Sequence, residues 1–430
     1  MQIGLSLSLT AQLRSSSTYA VLGYDPALVF DFKGNYFRKS ATDSTFGASI
    51  THTRASSATM VNSSGTLVTV GNNVPRTGHH LYNGSTWVNE GILHESEART
   101  NLILHSSDYS FNHWSKSAST VSGSSTAPDG TSTAQSVTPS SASSRHFLYK
   151  TAGNSNMPAV GVTTTTSIFA KADGYNFLGI ADGTSQYGRF NLTTGQVVLS
   201  VGLVSTSIES YGGGWYRCSI TSTGTISRQQ IFSVNEDAAN VSSFGAETFV
   251  GNGTSGITMY GAQTEAGSTP SSYIPTTTAT ATRAADLLTV PAANLPYDST
   301  NMSIQIDGKM TGNTLTPVRW LLDANNSILL ETGSNNFSFT QEAVGTVDTV
   351  TGGSFTSGTN VPFNLATRNG STFINGAISG TVLTANTTPT ALPNLSSTGL
   401  NLGHIFMGTI GQFRMWDEDL TDAGITEAST

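Results

Sequence analysis

The chain has 430 residues, a formal net charge of −8 and 11% charged residues, where an ordinary soluble domain carries roughly 25%. Ser, Thr, Asn and 44 Gly fill the gap, so the chain suits short strands and tight turns and offers few runs from which long helices could be built. The absence of a basic run excludes the electrostatic footprint of a nucleic-acid binder, 37% apolar residues argue against disorder, and a single cysteine, Cys218, excludes an intrachain disulfide.

Residues 1–24 read as a short arm in which Leu5, Leu7 and Leu9 alternate with polar residues at strand period. The arm lacks the basic start and continuous apolar core of a signal peptide, so we expect a soluble protein that is not inserted in a membrane. Such a strand could add to the open sheet edge of a partner. Residues 25–100 alternate in short runs such as Leu28–Phe32, Ser49–Arg54 and Leu67–Val70, and are expected to form a linking and anchoring β module. Residues 101–283 carry strands at regular spacing, among them Thr165–Ala170, Phe177–Ile180 and Trp215–Ile220. Short strands at this spacing predict a β-sandwich. Its closing strand, Ile257–Ala262, leaves through a corner at Gly267–Pro270 and stops at Pro275, because proline cannot donate to a sheet ladder. A Thr/Ala linker, 276–282, leads to a second predicted sandwich, 284–430, with hairpin turns expected at Asn369-Gly370 and Asn375-Gly376. The fold class is therefore all-β: two successive jelly-roll or concanavalin-like sandwiches behind an N-terminal module.

Several motifs resemble a known group in fixed order. Thr53-Arg54-Ala55-Ser56, Asn73-Val74-Pro75-Arg76, Glu95 through Leu102, Gly214-Trp215-Tyr216-Arg217, Gly261-Ala262-Gln263 with Glu265, Tyr273-Ile274-Pro275-Thr276 and Thr282-Arg283-Ala284-Ala285-Asp286 are similar to elements of phage and gene-transfer-agent receptor-binding proteins. These are tail fibres or head spikes with a carbohydrate-binding-like jelly roll. His52 stands where that group usually has Phe. The ending Gly408–Trp416 followed by Leu420–Ala423 resembles laminin-G or concanavalin-like domains. The resemblance implies a virion protein that adheres to bacterial surface polysaccharide, is commonly a homotrimer, and meets other virion proteins through residues 1–100. It implies no enzyme. A virion decoration or adaptor protein and a capsule depolymerase are the other readings. It implies no cofactor, with calcium on rim loops the one metal that laminin-G-like relatives admit.

Chemistry-bearing patterns are sparse. The eight His never reach HExxH spacing, and neither a G-x-S-x-G elbow nor a phosphate-binding glycine loop occurs in usable form. Glu95 and Glu97 lie two apart, roughly 7 Å on one strand face, within the spread of glycosidase pairs. The motif context favours instead a polar brace between Glu95 and Arg99. Sugar rings stack on aromatic faces while rim polar groups bond the hydroxyls. The glycan-binding candidates are therefore Tyr175, Tyr187, Arg189, Tyr211 and Trp215 in the first sandwich and Trp320 in the second. Tyr187 and Arg189 are preferred over Trp215, because they lie in a turn-rich segment expected to be exposed.

Overall fold

A computed structural model describes residues 18–40, 42–151, 158–223, 229–238, 243–312, 315–333 and 335–430. The alternation expected of Leu5, Leu7 and Leu9 lies outside them. Among the described residues the chain is almost entirely antiparallel β, with short α-helices at Phe46–Ser49 and Thr421–Ala428. The all-β expectation holds.

The middle sandwich packs two sheets. One runs in the order Ser115–Ser117, Ser143–Thr151, Gln229–Asn235, Phe177–Asp182, Tyr187–Asn191, Gln196–Val201. The other runs Ser119–Ser125, Ala134–Pro139, Gly256–Ala266, Thr164–Asp173, Trp215–Ser222, Ser205–Ser210. Side chains alternate across each strand, so Ile168, Leu178, Ile180, Phe190, Phe232 and Met259 meet between the sheets in one buried core. The strand Gly256–Ala266 is longer than its apolar stretch predicted, because it continues through Gln263, Thr264 and Glu265. It carries a bulge against Ser167 and Phe169, and Gly261 at φ +65° supplies the left-handed residue there.

The outer sandwich differs from the expected layout. Its long strand Met407–Trp416 pairs on one side with Asn301–Gly312. On the other side it pairs with Leu28–Asp31 and, further along, with Ile92–Glu95. Tyr36–Lys39 and Thr42–Ser44 extend the same sheet, and Thr51–Thr53 closes the opposite one beside Leu287–Val290. Residues 25–100 are thus not a separate linking module. They supply strands without which residues 284–430 would leave apolar faces and ladder groups uncovered. Phe30, Phe37 and Ile92 share one core with Ile304, Trp320 and Phe413. The expected turns at Asn369-Gly370 and Asn375-Gly376 lie instead within the strands Gly358–Gly370 and Ile374–Ile378, with the bend between them. The described chain ends in the strand Met407–Trp416 and the helix Thr421–Ala428.

The middle sandwich is inserted into the outer one through a two-stranded neck, Arg99–Asn101 against Ala281–Arg283, with Arg99 opposite Arg283. Above the neck a third, small core of Val61, Leu67, Phe169, Trp215, Tyr260 and Tyr273 joins the lobes.

Candidate functional site

The residues of the ordered motifs converge on the junction. Arg76 donates to Glu95 Oε2 (2.7 Å) and to Asp286 Oδ2, while Arg54 Nη1 lies 3.0 Å from Asp286 Oδ1 and Arg283 Nε 3.1 Å from Glu95 Oε2. The Ser272 amide and hydroxyl donate to Glu95 at 2.7 and 2.6 Å. His52 lies 3.2 Å from Asp286. All five ionic residues are buried, so each charge must be paired to be tolerated. Burial alone would raise the Glu95 carboxyl, but Arg283, Arg76 and the Ser272 hydrogen bonds bring it down to about 2. Asp286 is held well below the usual carboxylate range by Arg76 and the His52 hydrogen bond, against its own burial. The brace is therefore real but has other partners than expected. Glu95 is held by Arg76 and Arg283, whereas Arg99 bonds Glu97 (2.6 Å) and the Ala266 carbonyl. Glu95 accepts from three donors, Arg76 and the Ser272 amide and hydroxyl, and is ion-paired with Arg283, while Glu97 turns to Arg99.

The sugar-binding candidates separate on burial. Trp320 is fully buried in the outer core, its Nε1 donating to the Thr398 carbonyl at 3.0 Å. Tyr175 is buried against Phe249, with ring centroids 5.4 Å apart. Trp215 is buried in the junction core. Arg189 is fully buried rather than exposed, donating to Asn235 Oδ1 (3.2 Å) and the Gly245 carbonyl (2.9 Å). The turn-rich segment reads as exposed in sequence, but its strand Tyr187–Asn191 sits inside a sheet and the guanidinium turns inward to tie down a loop. Half-buried Tyr187 packs on Gly245, where a Cβ would meet its ring at 2.8 Å.

Tyr211 alone of the six borders open space between the lobes. It stands T-shaped to Phe169 (centroids 4.8 Å) and to Trp87 (6.3 Å), and Trp87 in turn packs on Tyr82 (5.3 Å). Tyr82 and Trp87 are cross-strand partners on the hairpin His80–Tyr82/Trp87–Asn89. These three rings, with His80, Lys309 and Asn360, line a hollow of about 200 Å³. Beside it, Glu209 accepts a hydrogen bond from Asn360 Nδ2, so one residue of each sandwich meets across the cleft. Asn360 holds φ +54°, a left-handed conformation that Asn tolerates. Burial raises the Glu209 carboxyl, and Arg217, Asn360 and Lys309 offset this only in part. Burial also pushes the Tyr211 hydroxyl up to about 12, keeping it a donor. Lys309 is itself paired with Glu90 at 2.7 Å.

Sequence reading missed Trp87, Tyr82, Glu209, Lys309 and Asn360. The tract Tyr82-Asn83-Gly84-Ser85-Thr86-Trp87 held a usable signal, since a turn-forming Asn-Gly between two aromatics makes them a cross-strand pair. Nothing local marks Glu209 or Asn360, whose meeting depends on how the lobes face each other. Among the described residues no three His, Cys, Asp or Glu gather as a metal site.

No protein-family model matches the chain, and no curated protein matches it. Solved structures do. The Ruminococcus gnavus IT-sialidase CBM40 bound to α2,3-sialyllactose matches with TM-score 0.27 and 13% identity over 31% of this chain and 84% of that one. Domain 4 of AbnA, a GH43 extracellular arabinanase from Geobacillus stearothermophilus, in complex with arabinotriose, matches with TM-score 0.27 and 18% identity over 38% of this chain and 82% of that one. The botulinum neurotoxin serotype D binding domain matches with TM-score 0.26 and 15% identity over 33% and 39%.

Proposed function

We propose that this protein is an adhesin that holds glycan, without cutting it, in the cleft between its two sandwiches. The observation that carries the reading is the set of three ring faces, Tyr82, Trp87 and Tyr211, beside a partly uncompensated Glu209 and the amide of Asn360. Aromatic surface takes the C–H face of a pyranose, while carboxylate and amide bond its hydroxyls. The ordered motifs add the setting: a virion receptor-binding protein, tail fibre or head spike, that recognises bacterial surface polysaccharide. Its copies would act together as a homotrimer, in which avidity offsets weak single sites. The test is retention of host capsule or O-antigen by the immobilised full chain. We expect binding with no shortening of the glycan, and a loss of about tenfold or more in affinity for Trp87→Ala. Shortened chains would replace this reading with a depolymerase, and no retention would leave a decoration or adaptor role.

A further inference from the structure

The cleft is longer than the aromatic hollow. Glu209 borders three adjoining spaces: that hollow, an inner one of about 70 Å³, and a third of about 350 Å³. The inner space shares Tyr211 and Asn360 with the aromatic hollow, and shares Thr359 and Pro270 with the third. The third space is lined by hydroxyls from both lobes, including Ser205, Ser207, Ser219, Ser268, Thr269 and Thr359, and by no Lys or Arg. Arg217 lines the inner space. It is only 7% exposed, its Nη2 donates to Ser167 Oγ at 3.1 Å and its guanidinium lies 5.4 Å from the Phe169 ring centroid, but its Nε has no hydrogen-bond partner. Its remaining contacts hold the guanidinium within its own lobe.

We propose that the cleft receives an internal stretch of a neutral polysaccharide, several sugar units long, running from the aromatic hollow past Glu209 into the hydroxyl-lined one. The inference rests on the reading of the cleft as a glycan site. Only the third space exceeds the roughly 300 Å³ of a compact small-molecule pocket, so a single bulky ligand is poorly matched. A chain of small rigid rings fills linked compartments well. Neutrality follows from the polar groups present. A uronate or sialate would set a second carboxylate against Glu209, while Lys309 is engaged by Glu90, Arg217 is buried and bonded to Ser167, and the hydroxyl-lined space offers no cation.

The experiment uses the full chain on an array of bacterial O-antigen and capsular polysaccharides, both neutral and uronate-bearing. Size-fractionated fragments of the retained polymer are then titrated into wild type, Trp87→Ala, Ser207→Ala and Thr359→Val, with folding checked by circular dichroism. We expect a neutral polymer to be retained and affinity to rise about tenfold or more from one sugar to four. Ser207→Ala and Thr359→Val should weaken the long fragments about fivefold and leave the monosaccharide unchanged, whereas Trp87→Ala should weaken both. A flat length series, hydroxyl variants that bind long fragments like wild type, or retention of uronate-bearing polymers alone would overturn this inference and leave glycan adhesion standing. Retention of no glycan would overturn both.

Discussion

Arg76 donates to both acidic groups of the junction and to the Thr59 carbonyl while fully shielded from water. Removing one member of a buried pair strands the others, so Arg76→Met or Glu95→Gln should cost about 3–5 kcal/mol in urea unfolding. Glu97→Gln, with half of that side chain in solvent, should change stability by less than about 1 kcal/mol. Equal effects at 95 and 97 would contradict the brace. The same residues set an acid sensitivity. Burial keeps His79 and His94 neutral, with pKa values lowered from 6.5 to about 3 and about 4. The unfolded chain therefore takes up protons at these two sites first, and stability present above pH 6.5 is lost as pH falls towards 4. Glu95, lowered from 4.5 to about 2, adds a loss that starts below pH 4.5. Urea midpoints at pH 7, 5.5 and 4 should fall steadily, and a midpoint unchanged over that range would refute the assignment. Arg54, Arg76, Glu95, Arg283 and Asp286 all stand in the ordered motifs, but the only pairing the sequence suggested was Glu95 with Arg99. The motifs do not show which acid meets which base, because the partners lie up to 232 residues apart along the chain.

At the level of strands and turns, glycine marks the places where backbone runs close to a neighbour. Gly267 (φ +134°) lies under Arg99, and a Cβ there would sit 1.3 Å from Nη1. Gly267→Ala should displace the guanidinium from Glu97 and the Ala266 carbonyl and lower stability by about 2 kcal/mol or more. Gly213→Ala should cost less, since a Cβ there meets no atom within 4 Å, although its φ of +57° still carries strain. A thermal melt of the pair gives the comparison. Strand identity was readable from regular spacing over Trp215–Ile220 and from motif resemblance over Gly408–Trp416. Exposure was not, as Arg189 shows: the Gly and Ser residues around it signal a turn, but they say nothing about which way a guanidinium points. Tyr211 stood among the candidates only as one aromatic of the first sandwich able to stack on a sugar ring. Its companions Tyr82 and Trp87 lie in a hairpin from the other lobe.

For the molecule as a whole, the interleaved ends of the chain decide what can fold alone. A fragment of residues 284–430 lacks Leu28–Asp31 and Ile92–Glu95, so one edge of Met407–Trp416 and the cavity left by Phe30, Phe37 and Ile92 face water. It should be unfolded or aggregated by circular dichroism and sedimentation, whereas residues 25–430 should melt as a folded protein. A well-folded 284–430 fragment would contradict the shared sheet. Local alternation could not reveal this partnership, because pairing between strands more than 300 residues apart leaves no short-range trace.

The neck has a further consequence. A lobe that enters and leaves through two adjacent strands can be swapped as a cassette without rethreading the host sheets. Any such exchange would replace the cleft wall bearing Glu209 and Tyr211 while retaining the one bearing Trp87, Lys309 and Asn360. Ligand preference could then be revised by half at a time, on a mount that stays the same.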